Sequence, residues 1–392
     1  MRMHFVGLPH VVATKEYNAC AYNCKHIKTC RMMRSLGHHV IDYSAEGSQV
    51  DCDEHVTIIT AQEQERFFGG HDWKAKGFNI KWDIREPYWR LANQRAAEEI
   101  KKRLEPGDFI CLIGGNCQKP IADTLGEQQA IVVEYGCGYN GCFSNFIVFE
   151  SFTHQACVYG MLSKDPDGHL YHTVIPNSYD PDDFPKGDGS GDYLLFISRL
   201  IHRKGIEIAL ETAKASGLKL ILAGQGVHSL TSDLLVTEEG MRIPLEPGRV
   251  EYAGYADVAK RAFLMGNARA IMQPTLFMEP FGGTVVEAAV CGTPAITTNY
   301  AAFSETVVHG VTGYRCSTLA QFVEAAHRVK NLDRNIIRKR ALQKYSIWNI
   351  RHEYNRYFET LYGLWGAGWP ETDATKGAVS DLGIEDSLVY SA

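Results

Sequence analysis

The feature that most constrains this chain is an alternation that runs, stops and starts again. Short apolar or β-branched runs, at His4–Gly7, Val40-Ile41, Val56–Thr60, Phe109–Ile113 and Ile131–Glu134, are separated by stretches of helical spacing at Cys20–Leu36 and Glu86–Leu104. Gly37 closes the first helix where a left-handed residue is wanted, and Pro87 sits in the first turn of the second. Asn145–Met161 is apolar and aromatic and reads as a further helix. Then Gly187-Asp188-Gly189-Ser190-Gly191-Asp192 interrupts the pattern as a linker. Beyond it the strands resume at Tyr193–Ile197, Leu218–Ala223, Arg249–Ala253, Arg269–Met272 and Ala295–Thr297, with helices at Gly205–Ala215 and Gly283–Cys291. Such alternation predicts parallel sheets with helices on both faces.

At 392 residues the chain exceeds the roughly 250–300 residues over which one core usually grows. The expected architecture is therefore α/β, with two Rossmann-like doubly wound domains facing a central cleft. The expected division is 1–186, 187–347, a long aromatic helix over 348–369, and a loose, small and acidic tail at 370–392. Ligands in such sheets sit at the carboxyl ends of strands, here in the cleft.

Composition removes several function classes. A formal net charge of −6 disfavours broad nucleic-acid binding. The 11 cysteines show no two-residue pairing of the kind that marks a zinc ribbon, and they read as free thiols of a reducing compartment. The start is too short and polar for a signal peptide, and no apolar run approaches the roughly 20 residues of a membrane span. A soluble cytoplasmic protein is expected. Asp51-Cys52-Asp53, Asp165-Pro166-Asp167 and Asp180-Pro181-Asp182 have the paired-acid form of a divalent-metal site, but charged loops are usually solvated, and no metal is expected. Gly224-Gln225-Gly226 lacks the third glycine of a dinucleotide fingerprint.

Two segments carry chemistry. In Glu279-Pro280-Phe281-Gly282-Gly283-Thr284-Val285-Val286-Glu287, two glycines open a helix whose free N–H groups and dipole would face an anion. Glu279 before the helix and Glu287 inside it suit a hydroxyl-rich ligand. Alone, the spacing fits an ordinary loop–helix junction equally well. In Ser198-Arg199-Leu200-Ile201-His202-Arg203-Lys204-Gly205, Arg199 and Lys204 flank a loop after a strand, where two cations can neutralise a diphosphate. Arg203 reads as a solvated neighbour.

These pieces, with Asn177-Ser178, Gly224-Gln225-Gly226, Gly254-Tyr255, Gln273-Pro274-Thr275, Gly292-Thr293-Pro294, Glu305 and Gly310-Val311-Thr312-Gly313, resemble in their order the motifs of glycosyltransferase family 4, a retaining family of GT-B fold. The resemblance covers roughly residues 174–316. It implies that Arg199 and Lys204 hold the donor phosphates and that Glu279 holds the transferred sugar without acting as nucleophile. It also implies that Phe281, Gly282, Gly283 and Thr284 touch sugar and phosphate through the backbone. Glu287 would bind the ribose, Tyr252 and Tyr255 the nucleobase side, and the helix after Trp348 would cross back to the first domain. That helix is also a possible dimer element.

The first domain departs from the family pattern. Gly7-Leu8-Pro9-His10 replaces the usual glycine pair, though Gly7 still lies where the donor is approached. No His follows Glu134; His10, His154 and the loop carrying Tyr139 are the acceptor-side candidates, and for either histidine a structural role is the more ordinary reading. Ala302-Phe303-Ser304 replaces a glycine pair before Glu305. The resemblance implies metal- and cofactor-independent transfer of a hexose from a nucleoside diphosphate sugar to a glycan or other hydroxyl acceptor. GDP-mannose is the first expectation for the donor and a UDP-hexose the second. A sugar-nucleotide epimerase or a non-catalytic glycan-binding member of the fold are the alternatives.

Overall fold

The structure is a computed structural model that describes residues 1–17, 20–77, 79–126, 130–139, 141–162 and 168–366. The tail expected at 370–392 and Asp165-Pro166-Asp167 lie outside the described residues.

The first sheet contains β1 (Arg2–Val6), β2 (His39–Ala45), β3 (Glu54–Ile59), β4 (Asp108–Leu112), β5 (Ala130–Cys137), β6 (Phe146–Phe149) and β7 (Thr173–Val174). All pair in parallel, in the order β3-β2-β1-β4-β5-β6-β7. The second domain begins with β8 (Leu194–Ile197) and β9 (Leu220–Ala223). An antiparallel meander follows, of β10 (Val227–Leu230), β11 (Leu234–Thr237) and β12 (Arg242–Pro244). β13 (Val250–Tyr252), β14 (Ala270–Gln273), β15 (Ala295–Thr298) and β16 (Gly313–Cys316) complete a parallel sheet of order β13-β9-β8-β14-β15-β16. Every residue of β4, β8, β9 and β14 is buried, as expected of parallel strands covered on both faces.

The order of the second sheet reverses between β8 and β14, and these two strands are hydrogen-bonded neighbours. Residues that follow them must therefore meet at one crevice.

One reading of the sequence is corrected. Asn145–Met161 is not one helix. Phe146–Phe149 enters the sheet between β5 and β7, and a helix follows at Phe152–Leu162. A four-residue apolar run has too little period to separate strand from helix. The meander β10–β12 was not foreseen. The glycine-rich linker is pinned by its backbone: Gly187, Gly189 and Gly191 donate to the carbonyls of Cys291, Gly266 and Asn267 at 3.0 Å each. Arg334 further binds the carbonyl oxygens of Gly187, Ala268 and Gly266.

The helix Ile347–Gly366 returns to the first domain. Ile347, Ile350, Tyr354, Phe358 and Leu361 recur at helical spacing and are buried in that domain's core, with the Phe358 ring 5.0 Å from Phe109. At roughly 1.5–3 kcal/mol for each large apolar side chain, this stripe holds the chain's end firmly on the opposite domain.

Candidate active site

The loops after β8 and β14 are locked together before any side chain is considered. Gly205 ends a short turn at His202–Lys204 with φ +77°, and a Cβ there would lie 2.0 Å from the Pro274 carbonyl oxygen. Only glycine satisfies both the backbone angle and the approach. The Leu276 N–H then donates to the Arg203 carbonyl at 2.9 Å, and Gln273 donates to Ile197 across the paired strands at 3.0 Å.

On this frame Lys204 meets Glu279. The ammonium lies 2.6 Å from Glu279 Oε2, with both side chains 15% exposed. Arg203 and Lys204 stand over the Phe277 ring at 4.6 and 4.7 Å. Arg199 is exposed on the same loop. Partial desolvation and the Arg203 charge lower its pKa, against the pull of Glu279, Glu239 and Glu238, and a guanidinium so placed stays charged. Two cations and a carboxylate predicted from separate segments are thus brought to one place.

The helix Gly283–Val290 starts beside them, with Gly282 as its left-handed cap at φ +79° and the Phe303 ring packed where a Cβ would point. Its first amides have no intrahelical acceptor, which is the condition for holding an anion. Phe281 is buried and anchors the loop, its ring 5.9 Å from Tyr345, so what it offers a ligand is backbone. Thr284 is half-buried in the first turn.

Glu287 is placed differently from Glu279. It is buried and pairs with Arg261 of the helix Val258–Asn267, which the sequence reading did not single out. Burial pushes its carboxyl pKa up, while Arg261 and Lys28 pull it down. It borders a cavity of about 300 Å³ between the domains, with Lys28, Arg31, Tyr179 and Arg261 among the lining residues. No sequence signal linked Arg261 to Glu287, because the partners lie on different helices.

Tyr252 donates to the Gly224 carbonyl at 2.7 Å. Tyr255 meets Trp73 of the first domain edge-on at 6.0 Å, and Trp73 lies 4.3 Å from Tyr17. Gln225 crosses the cleft to donate to the carbonyls of Trp73 and Lys74 at 2.5 and 3.0 Å, which gives the incomplete glycine motif a bridging role.

The first domain's candidates are structural in their contacts. Gly7 is held through its N–H by the Tyr43 carbonyl and through its own carbonyl by Gln118, each at 2.9 Å. His10 is 4% exposed, flanked by Phe68 and Trp82, and burial lowers its pKa to about 3. His154 is also buried. Tyr139 donates to Glu134, a fully buried carboxylate that also accepts the amides of Phe143 and Ser144 at 2.8 Å. Asp51 and Asp53 both bind Arg34.

The comparisons with known proteins bear on the fold and on the second domain. The structure aligns with sucrose-phosphate synthase from Thermosynechococcus elongatus at a TM-score of 0.65, covering 92% of this chain and 99% of that one at 15% identity. The fold is GT-B. Residues 182–345 match the family model for glycosyl transferases group 1, so the match falls on the domain that carries Arg199, Lys204 and Glu279. A glycogen synthase of Mycobacterium tuberculosis is 31% identical over 129 residues, which is 32% of this chain and 30% of that protein. An uncharacterised glycosyltransferase of Methanocaldococcus jannaschii is 25% identical over 62% of this chain and 60% of its own length. The chain therefore spans less than two thirds of these relatives. Among the described residues no helix is long and apolar enough to cross a membrane.

Proposed function

We propose that this protein is a retaining hexosyltransferase that uses a nucleoside diphosphate sugar without a metal. The observation that carries the reading is the Lys204–Glu279 contact beside the glycine-opened helix. In the absence of donor, the ammonium is satisfied by the carboxylate that would hold the sugar. With donor bound, Lys204, Arg199 and the amides at Gly282-Gly283 take the diphosphate, and Glu279 is released to the sugar hydroxyls. As the bond from anomeric carbon to phosphate breaks, the departing charge meets donors already aimed at it. The acceptor hydroxyl attacks from the leaving-group face, and a donor phosphate oxygen takes its proton. Glu279 orients the ring and forms no bond to it. The domains meeting over the cleft exclude water from the reactive cation.

The relatives favour glucose over the mannose expected from the sequence, because glycogen synthase and sucrose-phosphate synthase carry glucose chemistry in their names. The acceptor is a carbohydrate or another hydroxyl compound. The test is incubation with UDP-, ADP- and GDP-glucose and GDP-mannose, with NMR assignment of the anomeric configuration of the product. A retained configuration with a glucosyl donor is expected; inversion would overturn the mechanism. An epimerised sugar nucleotide formed without acceptor would overturn the transferase reading.

A further inference from the structure

The Glu279-Pro280 loop is flanked by two polar crossings to the first domain. On one side the Ser151 hydroxyl donates to the Pro280 carbonyl at 2.6 Å. On the other, Glu305 accepts the amides of Phe152 and Thr153 at 3.0 and 2.7 Å and the Thr153 hydroxyl at 2.6 Å. Glu305 belongs to the second domain, and its short helix Phe303–Thr306 is tied to the sugar loop, since the Ala302 N–H donates to the Glu279 carbonyl at 3.3 Å.

These contacts account for the whole first turn of the helix Phe152–Leu162. The His154 amide goes to Ser151 Oγ at 3.0 Å and the Gln155 amide to the Ser151 carbonyl at 3.0 Å. The remaining two first-turn amides, of Phe152 and Thr153, have their acceptor in the other domain. A helix normally satisfies its first four amides with its own cap or with water. Here a carboxylate from across the cleft does so, at the end of the helix where negative charge is favoured. When the domains part, two amides and a carboxylate lose their partners together.

We propose that Glu305 is a positioning residue for sugar transfer, an interdomain latch that seats the Glu279-Pro280 loop against the first domain by capping the helix Phe152–Leu162. It touches no substrate. Its effect passes through the Ala302–Glu279 backbone contact, and it sets how completely the cleft closes around the donor. The inference rests on the transferase reading for its consequence, but not for the contact itself.

The test uses full-length Glu305→Ala and Glu305→Gln. Amide hydrogen exchange at Phe152 and Thr153 is expected to accelerate about tenfold or more in Glu305→Ala, with Gln155 unaffected, because charge-assisted bonds are lost at two sites only. With UDP-glucose as donor and maltodextrin as acceptor, the ratio of transfer to donor hydrolysis is expected to fall about tenfold, since an unlatched cleft admits water. Glu305→Gln, which keeps one carbonyl oxygen, is expected to recover part of both. Unchanged exchange would overturn the latch. Faster exchange with an unchanged ratio would overturn the positioning role. If the wild type shows no transfer or hydrolysis with UDP-, ADP- or GDP-glucose or GDP-mannose, the transferase reading fails, and the exchange measurement still tests the contact. Should Glu305→Ala not fold, Thr153→Val and Ser151→Ala approach the same contacts from the first domain. Faster exchange and a lower ratio are again expected, and no change in either would overturn the latch.

Discussion

Lys204 Nζ lies 2.6 Å from Glu279 Oε2, joining two loops 75 residues apart in the chain. Both side chains are mostly buried, and on the proposed reading the ammonium turns from the carboxylate to the donor diphosphate when donor binds. Lys204→Ala is expected to lower kcat/KM by about 10²–10³, the range for loss of one preorganised donor at a developing negative charge. Arg199→Ala is expected to do the same without changing the melting temperature, since its side chain is exposed. Retained turnover in Arg199→Ala would remove that residue from the mechanism.

The Arg261–Glu287 pair is buried, so breaking it by one substitution differs from removing it. Arg261→Ala strands a carboxylate whose pKa is already raised by burial, and about 3–5 kcal/mol of stability should be lost. The double variant Arg261→Met, Glu287→Leu should be less destabilised than the sum of its parts. Urea denaturation of Arg261→Met, Glu287→Leu and their double variant measures this, and simple additivity would contradict it.

His10 makes stability fall with acid. Its folded pKa is about 3 and its unfolded value is near 6.5, so between those limits the unfolded chain binds a proton that the folded chain refuses. The stabilisation is complete above about pH 6.5 and is lost toward pH 3, at no more than about 1.4 kcal/mol per pH unit. Melting temperatures measured from pH 7 to pH 4 should drop less steeply in His10→Phe than in the wild type. Parallel curves would show that His10 is not the group responsible.

Chelation separates the clamp from a metal mechanism. Asp51 and Asp53 both face Arg34, and transfer is expected to run on Lys204, Arg199 and the helix opening. Transfer assayed with excess EDTA should match the untreated rate. Strict dependence on added Mg²⁺ or Mn²⁺ would overturn the metal-free reading.

Several features were legible because they are local. The β-branched runs and the glycines at 205 and 282 announce strands and a helix start through short-range sterics, and the order of motifs announced the fold. The break inside Asn145–Met161 was not legible, because Phe146–Phe149 becomes a strand only by pairing between β5 and β7. Arg261, Gln225 and the use of Glu305 as a cap were hidden for the same kind of reason. Each meets partners on a different element, and the latter two meet them on the other domain.

The sequence by itself therefore determined two doubly wound domains, a helix opened by glycines, and the cations, carboxylates and bare backbone of the candidate site. Periodicity, backbone angle and charge are properties a short stretch of chain already carries. Only the tertiary structure decided that Lys204 and Glu279 touch, that Glu287 answers to Arg261, and that Glu305 caps a helix of the opposite domain. Those pairings depend on which strands become neighbours and how the domains meet, and such distances arise only when the whole chain packs.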